Sequence, residues 1–196
     1  TLAFPETDNT TINTIAKAAA YNSIGSILSL SRLNKISYKL HDLDIVTKAL
    51  EQQRGVIIVS LHMGPPDIGT LALCKQGMPV SAMIGEAKNR RWLNKVAIKL
   101  LNSVGVPFIQ RGSPIDFLKI LRKKEIVVLH GDMRSKEAPV TFFGEQTTAP
   151  VSAIHTALML NSSLLFHYCT LQENTWQLYF ESFDLIQGVD KNETLT

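Results

Sequence analysis

A chain of 196 residues is long enough for one domain and too short for two comfortable ones. With 45% hydrophobic and 19% charged residues, large-scale disorder is excluded, and no run reaches the ~18 consecutive apolar residues that a membrane-spanning helix needs. The net charge of +3 is small, so no nucleic-acid partner is expected, but it is unevenly spread. Between Lys88 and Lys124 lie ten basic residues, Arg90 and Arg91 among them, and one acid, Asp116. Such a block suits a phosphate headgroup, an acidic carrier protein or a membrane surface; the plainer alternative is a solvated helix face. Cys74 and Cys169 sit in apolar contexts without a CxxC pattern and read as reduced core residues of a cytosolic compartment. The chain opens on Thr1 with neither initiator Met nor signal peptide, which fits a piece of a longer protein.

In chain order, residues 12–30 carry apolar side chains at helical spacing after a polar stretch suited to capping. Leu43, Val46, Ala49 and Leu50 form a second helical pattern that stops at Arg54-Gly55. Val56-Ile57-Ile58-Val59 is a β-branched run of the kind found in a strand buried on both faces, and residues 78–83 form a weaker strand candidate. Residues 92–104 are helical and amphipathic, stopped by Gly105. Ser113-Pro114-Ile115-Asp116 opens another helix, running to about Lys123, with a capping serine, proline in the first turn and an early acid. Then come a buried strand at 126–129, a helix at 150–160, a strand at 164–169, and an alternating strand nearer the sheet edge at 175–183. The alternation predicts an α/β class with a largely parallel or mixed central sheet flanked by helices, in one domain over residues 1–196.

Sites in open α/β sheets form beyond the carboxyl ends of the strands, and two polar segments fall there. The first runs from Ser60 through His62, Gly64, Pro65 and Pro66 to Asp67. On one continuous helix His62 and Asp67 would point about 140° apart, whereas a turn between them, with Gly64 allowing it, would bring the carboxylate back to the imidazole. A carboxylate there fixes the tautomer and makes the other ring nitrogen a competent base. The second segment, His130-Gly131-Asp132-Met133-Arg134-Ser135, offers a guanidinium fork for phosphate. Neither holds a GxSxG elbow or a Walker loop. Each residue alone has an ordinary alternative: a hydrogen-bonded structural histidine, an acid at a helix N-terminus, half of an ion pair.

At these residues the sequence resembles the lipid A late acyltransferases (the lauroyl and myristoyl acyltransferase family) and, more remotely, the glycerolipid acyltransferases. The shared motif is a His, four residues, then Asp or Glu, here His62 to Asp67. Arg54 to His62 is similar to that family's run into its histidine, and Phe4-Pro5-Glu6 to its opening segment. Gly131-Asp132-Met133-Arg134, Phe142-Phe143-Gly144 and Thr147-Thr148-Ala149-Pro150 resemble later family blocks. Pro65-Pro66 stands where the family has Asn-Trp. The family's N-terminal membrane helix and basic C-terminal helix have no counterpart in these residues.

The resemblance implies a glycerolipid-acyltransferase-like fold and acyl transfer without cofactor or metal. Asp67 would orient His62 as general base. Arg90, Arg91, Asp132, Arg134 and the backbone near Gly64 would bind substrate or stabilise the oxyanion. The implied donor is acyl-carrier protein or acyl-CoA, the acceptor a hydroxyl of a lipid A precursor-like lipid, and the location the cytoplasmic face of a bacterial inner membrane. Two alternatives remain open at this point. One is a metal-dependent hydrolase built on His62, Asp67, His130 and Asp132; the other is a catalytically inactive relative that binds lipid or a partner through its basic block.

Overall fold

Buried β-branched runs set the architecture, because a strand apolar on both faces needs helices on both sides. The computed structural model describes residues 4–29, 35–65, 67–85, 91–110, 112–133 and 135–183. The first half comprises α1 (Asn9–Ser29), β1 (Tyr38–Leu40), α2 (Leu43–Glu51), β2 (Val56–Ser60), α3 (Ile68–Lys75), β3 (Val80–Ile84) and α4 (Arg91–Ser103). The second half comprises β4 (Phe108–Gln110), α5 (Pro114–Arg122), β5 (Ile126–His130), β6 (Ala138–Phe142), β7 (Glu145–Ala149), α6 (Ser152–Leu160), β8 (Ser163–Gln172) and β9 (Thr175–Ser182).

Seven strands form one sheet in the order β1-β9-β8-β2-β5-β3-β4. Strands β8, β2, β5, β3 and β4 run parallel; β9 is antiparallel to β8, and β1 pairs with β9 in parallel. The mixed, largely parallel α/β sheet is therefore present. Alternation along the strands sorts the core into two layers. Val56, Ile58, Ile126, Val128 and Leu165 face α2 and α3, with Leu101 of α4 on the same side. Ile57, Val127 and Leu164 face α5 and α6 through Leu121, Ala153 and Ala157. Ile57, Ile58 and Ile126 are wholly buried, each contributing about 1.5–3 kcal/mol of burial.

Helix α3 is buried on all sides from Ile68 to Leu73, and small residues there let it lie close to the sheet. A Cβ on Gly69 would stand 2.6 Å from His167 Nε2. The Ser113 hydroxyl donates to Asp116 at 2.5 Å instead of accepting a helix N–H, so the proline and the acid mark that helix start more than the expected cap does. The basic block is divided by the sheet, since α4 and α5 pack on opposite faces.

Strands β6 and β7 form a separate antiparallel hairpin, which has no counterpart among the elements expected from the sequence. Its two-residue turn is Phe143-Gly144 with φ of 52° and 77°, the paired positive values of a type I′ turn. Among the described residues no helix is long and apolar enough to cross a membrane.

Candidate active site

Strands β2 and β5 are neighbours whose chains leave in opposite directions. From β2 the chain enters α3 on one face; from β5 it passes through the hairpin to α6 on the other. This divergence makes their carboxyl ends a topological switch point, the usual ligand position of such sheets. Ser60 and His130 are register partners at that end. His62 and Asp132 each lie two residues further on, so the two loops bring them face to face.

Asp132 grips His62 twice. One carboxylate oxygen accepts the ring N–H at Nδ1 at 2.7 Å, and the other accepts the His62 backbone N–H at 2.7 Å. Burial alone would raise the Asp132 carboxyl, but the backbone and ring hydrogen bonds from His62 outweigh it and hold the group below its usual value. Spacing along the chain assigns the imidazole to Asp67, with Asp132 among the substrate-binding residues; in the structure the ring is hydrogen-bonded to Asp132. The reason is local geometry: Asp67 is drawn into the N-terminus of α3 as its cap residue, in a left-handed conformation with φ of 62°.

Asp67 nonetheless acts on the same ring. Burial raises its carboxyl to about 6, and the charge of His62 pulls it back down. The imidazole is therefore bonded to one carboxylate and near enough to the other for their charges to interact. The His62 side chain is 43% exposed and open to a substrate, while Asp132 is more covered at 33%.

Two more histidines lie at this end of the sheet. The His130 ring stacks on His62 with centroids 4.1 Å apart and planes 28° from parallel. Burial, then the His62 charge, lowers His130 to about 4 against a smaller upward pull from Asp132. His167, in register with Ser60, is buried and bonded through Nδ1 to the Ser60 hydroxyl at 2.9 Å. Burial and the His130 charge bring His167 to about 4 as well, so both rings are neutral at physiological pH. Neither His167 nor the role of Ser60 is evident from local sequence. Their signal was a polar pair inside otherwise apolar strands, which only the register reveals as one cluster.

Gly64, expected as a source of oxyanion N–H groups, has a packing role in the structure. Its φ is 91°, and a Cβ there would collide with the Trp176 ring and Cys169 Sγ. Cys169 Sγ donates to the Met63 carbonyl, tying the loop to β8. Gly131 is constrained by packing alone, since a Cβ would stand 2.5 Å from Val59 Cγ1.

Arg90 and Arg134 lie outside the described residues, as does the Arg91 side chain. Among the described residues no group of three or more His, Cys, Asp or Glu is placed to hold a metal ion, the arrangement the hydrolase alternative requires. A cavity of about 540 Å³ lined by Lys48, Arg54, Ser162 and Ser163 opens at the amino ends of β2 and β8, the far end of the sheet from His62.

A family model for bacterial lipid A biosynthesis acyltransferases matches residues 12–192. The chain belongs to that family. A search of curated proteins finds no match. The protein is thus an acyltransferase, working between an acyl donor and a lipid acceptor, and the cluster of His62, Asp132 and Asp67 is its candidate active site.

Proposed function

We propose that this acyltransferase moves a fatty acyl group from a thioester, carried by acyl-carrier protein or coenzyme A, to a hydroxyl of a lipid A precursor-like acceptor. His62 is the general base. The observation carrying this reading is the pair of hydrogen bonds that His62 makes to the Asp132 carboxylate, from its backbone N–H and its ring, which commits Nδ1 as a donor and leaves the Nε2 lone pair for a substrate proton.

Nε2 takes the acceptor's hydroxyl proton as its oxygen attacks the thioester carbonyl. The C–O bond forms, the C–S bond breaks, and the imidazolium returns the proton to the departing sulfur. Asp132 holds the tautomer and, with Asp67, stabilises the imidazolium while it is charged. General base catalysis of this kind is worth ~10²–10⁴-fold. Arg90, Arg91 and Arg134 hold phosphate of the acceptor or of the donor's phosphopantetheine. The reaction takes place at the cytoplasmic face of the bacterial inner membrane, with lipid contact through exposed apolar side chains. Phe142 and Phe143 at the hairpin tip are 64% and 55% exposed, and the hairpin grows from the loop that carries Asp132.

The test is mass spectrometry of lipids after incubation with acyl-carrier and coenzyme A thioesters in parallel. An acceptor heavier by one acyl group, absent with His62→Ala, supports the reading; equal product from His62→Ala refutes it.

A further inference from the structure

We propose that His130 is a positioning residue for acyl transfer, its ring face setting the tilt of His62 so that Nε2 stays aimed at the acceptor hydroxyl. The inference rests on the reading of His62 as base, and goes beyond it by assigning a role to a second imidazole.

The need for such a residue follows from the geometry. Asp132 fixes the direction of Nδ1 and the backbone of His62, but one hydrogen bond to a ring leaves it free to rock about that bond. The ring is 43% exposed, so solvent does not restrain it. The flat surface that does is His130, at 4.1 Å and 28°. His130 in turn is anchored: it ends β5, pairs with Ser60, and the Gly131 backbone N–H after it donates to the Ser60 carbonyl at 2.9 Å. On the other side of Ser60, His167 is fixed by the Ser60 hydroxyl and packed against the Phe180 ring and Gly69.

An imidazole serves here only if it stays uncharged when its neighbour gains a proton. The groups facing it are His62, Asp132 and His167, with Asp67 acting on His62 from α3. Their balance, with burial dominant, leaves His130 neutral. The imidazolium formed at His62 therefore meets a π face instead of a second cation.

The experiment measures acyl transfer by the full chain carrying His130→Ala, His130→Leu or His130→Phe, with His62→Ala as control. A small displacement of a reacting group costs up to ~10²-fold, so Ala and Leu should lower kcat about ten- to a hundredfold with KM unchanged. Phe, which keeps a flat neutral face, should recover most of that loss. The low-field N–H resonance of the His62–Asp132 hydrogen bond should be sharp in the Phe variant and broadened in Leu. Leu keeps the volume if Ala fails to fold. Wild-type kcat in Ala or Leu, or a folded Phe variant no better than Leu, overturns the assignment. Either result leaves the base reading intact so long as His62→Ala is inactive.

Discussion

His62 and Asp132 are 70 residues apart in sequence and joined by two hydrogen bonds of 2.7 Å. The pairing is a product of sheet register: Ser60 and His130 lie opposite one another, and each strand ends two residues before its member of the pair. A one-residue slip between β2 and β5 would turn every side chain of one strand to the other face and separate the pair, so the apolar alternation that fixes the core also fixes the site.

Asp67→Asn separates the two carboxylates. Its folded pKa of about 6 lies above the ordinary value of 3.8, so the ionised carboxylate costs stability as pH rises through this interval. Asparagine tolerates the left-handed backbone and carries no charge. Thermal unfolding at neutral pH should therefore show a higher Tm, with the gain shrinking as pH falls below 6. Transfer should slow by about tenfold, because the imidazolium loses a neighbouring negative charge. A lower Tm at neutral pH would contradict the assignment of this charge.

Acid sensitivity has a definite sign. His130 and His167 are held at about 4 when folded, against 6.5 when unfolded, so the unfolded chain binds more protons between those values and stability rises with pH. Asp67 works the other way over part of the window. Between pH ~5 and ~6.5 the two histidines outweigh the one aspartate, so the net stability rises with pH. Denaturant titrations across this range should give that upward slope, and His130→Phe with His167→Gln should reverse it. An unchanged slope in the double variant would contradict the buried neutral histidines.

Gly64→Ala tests the packing of the catalytic loop. The new Cβ meets the Trp176 ring at a backbone φ of 91°, so the substitution should cost about 1–3 kcal/mol and change tryptophan fluorescence. Adding Trp176→Leu should recover the steric part and leave the conformational part. A fully tolerated Gly64→Ala would mean that the loop path is different.

Phe142→Ser with Phe143→Ser tests the lipid contact. Binding to phosphatidylglycerol-containing vesicles should weaken at least tenfold, since each exposed ring is worth about 1.5–3 kcal/mol when buried. Turnover of a short-chain soluble acceptor should be unaffected. Undiminished vesicle binding would place the membrane contact elsewhere on the chain.

Much of the fold was legible because the central strands are short, unbroken β-branched runs, and the amphipathic helices α2, α4 and α5 repeat at their proper spacing. The three-residue strands β1 and β4 are too short to show a period. The Thr-rich, exposed β7 lacks the apolar alternation that marks a strand, which hid the hairpin. At the site, His62 stood out by its place after a strand, whereas its partner did not. Spacing along the chain favoured Asp67, five residues away. The true hydrogen-bond partner depends on which strand lies beside β2, a tertiary fact that local periodicity does not carry. His167 and Ser60 were obscured for the same reason.

The most direct test is a double-mutant cycle on acyl transfer with His62→Gln, Asp132→Asn and the two together. If Asp132 acts through the imidazole, each single change lowers kcat by about 10²–10⁴-fold and the pair loses scarcely more than His62→Gln alone. Additive losses, or near-normal turnover in Asp132→Asn, would contradict a base held in place by that carboxylate.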